Sequence, residues 1–183
     1  MAIEIRPASW DRDAELLSEI RRRVFIEEQS VPEDLELDGE DATAWHWLAL
    51  QNGEAAGTVR LLRGGHIGRM AVLRRWRGGG VGSALLLATV AYARQQHLRD
   101  VYLHAQMHAL PFYQRHGFTP EGPEFMDAGI PHRSMRLVLR EQRELGNDSG
   151  RFAAHDRRAV LLDLTRQCQR HLRILSNSLD HEL

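Results

Sequence analysis

The stretch "RRWRGGGVGSALL" (Arg74–Leu86) decides how the rest of the chain is read. Four glycines, Gly78, Gly79, Gly80 and Gly82, fall within five residues, behind a basic run and ahead of an apolar segment. Glycine is costly inside a helix, so such a cluster usually ends structure rather than starting it. Here it joins two well-patterned elements. "HIGRMAVL" before it has the character of a strand, and "GSALLLATVAYARQQH" after it reads as a helix from about Gly82 to His97. A glycine loop between a strand and a helix start lets backbone N–H groups face an anion. Two familiar phosphate loops are excluded. The chain contains no lysine, which a Gly-Lys-[Ser/Thr] loop needs, and the dinucleotide fingerprint requires glycine or alanine where Ser83 or Leu85 stands.

Working outward, "AIEIRPA" alternates as a strand stopping at Pro7. Ser9 or Asp11 can cap a helix over "DRDAELLSEIRRRVFIEEQ", where Leu16, Leu17, Ile20 and Val24 recur at helical spacing. Arg21, Arg22 and Arg23 read as a solvated face of that helix. "SVPEDLELDGED" reads as an acidic loop. "ATAWHWLALQNGEAAGTVRLL" is a hairpin turning at Asn52-Gly53. Downstream come a short strand "VYLHAQ" and a short helix "HALPFYQRHGF" closed by Gly117. A turn-rich loop "PEGPEFMDAGIPH", with a short strand as the alternative, and a last strand "RSMRLVLR" complete the run. This order predicts one α/β domain over residues 1–140, a mixed, mostly antiparallel sheet of six or seven strands flanked by helices. "GNDSG" reads as a linker, and Val160, Leu161, Leu164, Cys168 and Leu172 form one stripe of a C-terminal amphipathic helix within residues 141–183.

The loop, written Arg77-Gly78-Gly79-Gly80-Val81-Gly82, resembles the Arg/Gln-x-x-Gly-x-Gly/Ala pyrophosphate loop of the GNAT N-acyltransferase superfamily. "AQMHALPFYQRHGF" is similar to that family's second signature. Gln106 stands at the asparagine place, Ala109 at the alanine and Tyr113 at the tyrosine, and Gly117-Phe118 closes it. The resemblance covers about residues 2 to 140. Within the superfamily, "VFIEEQSVPEDLELDGED" and "GIPH" look like the ElaA or YjcF branch.

The resemblance implies a GNAT-like fold and acetyl-CoA as co-substrate. Its pyrophosphate would lie on Arg77, Gly78, Gly79, Gly80, Val81, Gly82 and Ser83, with Arg74 or Arg75 toward the adenosine 3′-phosphate. It also implies that the strand before the loop splays from its neighbour. The pantetheine arm would lie in the opening against backbone groups of Met70 and Val72, with Gln106 nearby. The reaction implied is direct aminolysis of a thioester. The oxyanion then needs a fixed donor, for which the Val72 N–H is placed, and Tyr113 occupies the position of the acid that protonates the leaving thiolate.

For the base, Glu28 in "IEEQS" is the candidate if that segment walls the acceptor site. His46, His132 and a water chain are alternatives, and Glu27 is its neighbour. Phe25, Gln29, His46 and His132 are the candidate acceptor contacts. The acidic loop Glu33 to Asp41 either draws a cationic acceptor, such as a polyamine, an aminoglycoside or a peptide amine, or is a solvated loop.

The formal net charge of −1 gives no global pull toward nucleic acid or membrane. A single cysteine excludes an intramolecular disulfide, and His104 and His108 straddle a strand-to-helix transition, so no metal is expected. No signal peptide or membrane span is visible, which points to a cytoplasmic location. A homodimer is favoured only by the resemblance. An alternative of another class is a non-catalytic acyl-CoA sensor or scaffold whose C-terminal helix binds a partner.

Overall fold

The computed structural model describes residues 2–139. The predicted C-terminal amphipathic helix and Cys168 lie outside the described residues. Among the described residues seven strands form, but in two sheets rather than one. The first has the order β1-β2-β3-β4, from β1 (Ile3–Ala8), β2 (Trp45–Gln51), β3 (Glu54–Leu61) and β4 (Ile67–Val72). The second has the order β5-β7-β6, from β5 (Asp100–Gln106), β6 (Thr119–Asp127) and β7 (Ile130–Val138). All pairs within the two sheets are antiparallel.

The Asn52-Gly53 turn has both residues at positive φ, 54° and 82°, as a type I′ hairpin requires. Strand β2, "WHWLALQ", is buried on both faces, which is why it reads as a nearly continuous apolar run. Trp47 and Ala49 join the core beneath helix α3 (Val81–Gln95), and Leu48 joins Leu17 and Ile20 of helix α1 (Trp10–Arg21). The first sheet is therefore held between α1 and α3. Pro7 lies inside β1 rather than ending it, tolerated because β1 is an edge strand.

Three further expectations change. The helix predicted to Gln29 is α-helical only to Arg21 and continues as a π-helical segment, Arg22–Glu28. The wider turn alters which side chains face inward, and such segments gather at functional sites. The acidic stretch contains a single helical turn, α2 (Glu33–Glu36). The turn-rich loop is the long strand β6, with two prolines and a register shift between Glu121 and Glu124. It is an edge strand, which accommodates proline, and Ala128-Gly129 turns it into β7 with both residues at positive φ.

Candidate active site

The two sheets meet where β4 and β5 run parallel. His66 bridges Tyr102, whose N–H donates to the Gly65 carbonyl at 3.0 Å. Beyond that contact the strands are unpaired, so a split opens toward Val72 and Gln106 at their C-terminal ends. The backbone of β4 is shaped for it. Its register against β3 shifts between Thr58 and Arg60, and Arg69 sits at φ 50°, a bulge that re-aims the chain. The Leu73 N–H donates to Ala56 at 2.9 Å. By the alternation of an antiparallel ladder, the facing pair Gly57 and Val72 is not hydrogen-bonded, and the Val72 N–H and C=O point off the free edge. The Arg77 Nε–H donates to that Val72 carbonyl at 2.8 Å.

The glycine loop stands directly after this edge. Gly78 and Gly80 have φ of 81° and 86°, conformations that favour glycine. Val81 anchors the loop, its side chain buried in the core. Gly80 caps α3, whose first hydrogen bond in this turn runs from the Ala84 N–H to the Gly80 carbonyl. The N–H groups of Val81, Gly82 and Ser83 precede that bond and have no partner within the helix. A Cβ on Gly82 would lie 3.4 Å from the Met70 methyl and 3.6 Å from Phe112, in ordinary van der Waals contact with both.

A cavity of about 370 Å³ occupies the split. Among the predicted residues, Phe25, Gln29, Met70, Val72, Arg77, Gln106, Tyr113 and His132 line it. Phe25 and Gln29 come from the π-helical segment and its C-cap. The Gln106 amide N–H donates to Gln29 Oε1 at 2.8 Å, joining the end of β5 to the π-helical side. Tyr113, on helix α4 (Leu110–Arg115), donates to Met70 Sδ at 3.7 Å, and burial pushes its phenol up to about 12. A phenol so held stays protonated and is suited to give a proton rather than take one.

Of the predicted loop residues only Arg77 lines the cavity; Gly78, Gly79, Gly80, Val81, Gly82 and Ser83 do not, and two further candidates are also placed elsewhere. Glu28 does not line the cavity. Its Oε2 is 2.7 Å from Nη2 of Arg77, so the candidate base and the candidate pyrophosphate ligand are an ion pair. His46 is buried outside the cavity, its Nε2 2.9 Å from the Asp41 carbonyl and its ring stacked on Trp10. Burial holds its pKa below the ordinary histidine value. Arg75 pairs with Glu54 at 2.7 Å.

The acidic loop is largely occupied by the protein's own arginines. Arg21, read as solvated, is instead 1% exposed, with Nη2 2.6 Å from Glu36 Oε2 and Nη1 2.8 Å from Asp41 Oδ1. Arg60 binds Asp38 at 2.6 Å and Asp41 at 2.9 Å, and Arg69 binds Glu36 and Asp38 at 2.9 Å each. Glu36, Asp38 and Asp41 are therefore not available to draw a cationic acceptor. No spacing rule exposes this network, because its members come from α1, α2, β3, β4 and the stretch between α2 and β2.

Sequence reasoning also missed the ring-bearing wall. His66, His104 and His108 line the cavity with His132. His66 stacks on Tyr102 at 5.0 Å, and His104 lies 5.1 Å from His66 and 5.0 Å from Phe125. Burial, reinforced by the neighbouring His104, pushes the pKa of His66 down to about 4. The alternation "VYLHAQ" carries the signal, since Tyr102, His104 and Gln106 share the face opposite the buried Val101, Leu103 and Ala105. A larger concavity of about 660 Å³ on the outer side of α1 holds none of the predicted site residues. Among the described residues, no group of three histidine, cysteine, aspartate or glutamate side chains could hold a metal ion, and no helix is long and apolar enough to cross a membrane.

The acetyltransferase (GNAT) domain family matches residues 11–139. The uncharacterized N-acetyltransferase YjcF of Bacillus subtilis is 36% identical over 121 residues, covering 63% of this chain and 86% of that protein. The crystal structure of Escherichia coli ElaA superposes with a TM-score of 0.67 at 30% identity, over 74% of this chain and 99% of that one. An acyl-CoA N-acyltransferase from Pseudomonas aeruginosa gives a TM-score of 0.67 at 29% identity, over 75% of this chain and all of that one.

Proposed function

This chain belongs to the GNAT acetyltransferase family, whose members are acyl-CoA-dependent acyltransferases, and we propose that it transfers an acetyl group from acetyl-CoA to a primary amine by direct attack on the thioester. The observation that carries this reading is the alignment of two sets of unpaired backbone donors. The helix-start N–H groups of Val81 to Ser83 follow a few residues after the edge N–H of Val72, and Gly82 packs against Met70 of the cavity wall.

The pyrophosphate takes the helix start, where the dipole contributes about 0.3–1 kcal/mol per exposed charge and about 2 kcal/mol when partly buried. Arg77 adds a bidentate cation from the loop. Pantetheine runs along the Val72 edge, which brings the thioester carbonyl to the Val72 N–H. A preorganised donor of this kind is worth about 10²–10³ in rate. The amine attacks the carbonyl carbon, the C–N bond forms, and collapse breaks the C–S bond as Tyr113 gives its proton to the sulfur. Gln106 and Gln29 close the mouth, and Phe25 faces the acceptor. Because Arg77 already holds Glu28, a pyrophosphate that recruits Arg77 competes with that carboxylate.

The acceptor is a small-molecule or peptide amine, and nucleic acid and membrane have no part in this reading. A soluble, cytoplasmic setting and a possible homodimer belong to the same proposal. The test is release of free thiol from acetyl-CoA in the presence of spermidine, kanamycin, a dipeptide or phenethylamine. Amine-dependent thiol release with N-acetylated product by mass is expected. Release that does not depend on any amine would contradict amine acetylation.

A further inference from the structure

The acetyl-transfer reading leaves the base open between Glu28, His46, His132 and a water chain, and the side-chain geometry separates the three residues. Glu28 is held by Arg77 and lies off the cavity wall. His46 is committed to the Asp41 carbonyl outside the cavity. His132 differs from both.

His132 lies on β7, directly opposite Gln106 of β5, and is 8% exposed while lining the cavity. Its Nδ1 is 2.8 Å from the Ile130 carbonyl. A carbonyl only accepts, so in the neutral ring the proton is on Nδ1 and the lone pair is on Nε2. The ring stacks on Phe125, with centroids 6.1 Å apart and planes at 25°. Its tautomer and orientation are thus set before any substrate arrives. The titratable rings and carboxylate nearest in the same lining are His66, His104 on β5, His108, Asp127 beside the β6–β7 turn and Tyr113 on α4; among the described residues no hydrogen bond or ion pair links any of them to the ring.

We infer that His132 is the general base of this site, its Nε2 taking the proton of the incoming ammonium. This role rests on the acetyl-transfer reading. The proton balance closes. The first ammonium proton passes to Nε2 and on to solvent, which leaves the nitrogen lone pair free to form the C–N bond. As the C–S bond breaks, the sulfur takes the Tyr113 proton. The second nitrogen proton, lost through the regenerated Nε2, leaves one proton released per turnover once Tyr113 is reprotonated.

The discriminating variant is His132→Asn, because an asparagine amide N–H can keep the bond to the Ile130 carbonyl while Nε2 is removed. It is assayed with whichever of the four amines the native protein acetylates fastest, beside calorimetric titration of acetyl-CoA. The expected result is a fall in kcat of about 10²–10⁴ with the acetyl-CoA Kd within about twofold of native. The deficit should shrink as pH rises toward the amine's own pKa, since more amine then arrives already deprotonated. Should His132→Asn fail to bind acetyl-CoA, His132→Gln is read by the same criterion. A fall of less than about tenfold in kcat overturns the role of His132, and so does an equal loss in both kcat and acetyl-CoA binding in both variants. Thiol release with no amine by the native protein overturns the acetyl-transfer reading instead, and this role with it.

Discussion

Two regions of this protein are rich in arginine, and they are built on opposite principles. Around Arg21, Arg60 and Arg69 each guanidinium meets carboxylates of Glu36, Asp38 or Asp41 at hydrogen-bond distance, and Arg21 and Arg60 are almost wholly buried. Around "RRWRGGGVG" the arginines are exposed and the notable donors are backbone N–H groups at the start of α3. The first region closes upon itself and fastens the acidic stretch to β3 and β4. The second leaves donors at the helix start without a partner inside the helix. The contrast teaches that charge density does not identify a site; polar groups left without an internal partner do.

The contrast can be broken most forcefully at its closed end. Replacing Arg21→Met leaves Glu36 and Asp41 buried with fewer partners, and removing one member of a buried pair costs about 3–5 kcal/mol. A urea titration should show that loss, while the surviving folded fraction binds acetyl-CoA as native does. An unchanged midpoint would mean the network contributes nothing to stability.

At the open end, Tyr113→Phe removes the acid without emptying its packing against Phe118 and Phe112. Thiol-release kinetics should show kcat reduced about 10²-fold with the acetyl-CoA Kd unchanged. Equal activity would remove Tyr113 from the chemistry.

Buried and paired groups in and around both regions should also announce themselves in the pH dependence of stability. Burial holds His46 below the ordinary histidine value, and burial with His104 brings His66 to about 4. Both bind protons more readily when unfolded, so their contribution is present above about pH 6.5 and is lost as pH falls toward 4. The carboxylates act next. Arg6 holds Asp13 near 2, and Arg60 holds Asp38 below its ordinary range. Burial opposes ionisation of Asp41, but Arg21 and Arg60 outweigh it. Stability from these three is present above about pH 4 and is lost as pH falls through their depressed values. Unfolding free energy measured from pH 7 down to about 2 should fall through the histidine range and then through the carboxylate range, and a flat profile between about 6.5 and 4.5 would contradict the histidine part.

The smallest effect sits where the regions meet. Glu28→Gln frees Arg77 from a half-exposed pair worth about 0–1 kcal/mol. Acetyl-CoA should then bind up to a few-fold more tightly, and weaker binding would mean that Glu28 helps to hold Arg77 in place for the phosphate.

How much of this was legible beforehand follows from what kind of interaction made each element. The hairpin at Asn52-Gly53 and the glycine loop with its helix are local, set by turn chemistry and by period, and both were readable. The split into two sheets was not, because it depends on β4 and β5 failing to pair beyond His66 and Tyr102, residues 36 apart in sequence. The full length of strand β6 was hidden by its two prolines, whose usual meaning is a turn and whose meaning at an edge is tolerance. Arg21 looked like surface because its partners are 15 and 20 residues away in an irregular stretch. Tyr113 and Gln106 were reached by resemblance and do line the cavity, whereas nothing local distinguished His132 from nine other histidines. Its bond to Ile130 does that, and it is visible only in three dimensions.

The most direct test of the glycine loop as the acetyl-CoA pyrophosphate site is calorimetric titration of acetyl-CoA into the native protein and into Gly82→Asp. The substitution places a carboxylate among the α3 N–H groups, against the Met70 methyl and Phe112. Saturable binding by the native protein, weakened about tenfold or more in a folded variant, is the expected result, in line with about 1.4 kcal/mol per decade. Equal affinity in the two proteins would place the pyrophosphate elsewhere, and no binding by the native protein would reduce the glycine loop to a connector.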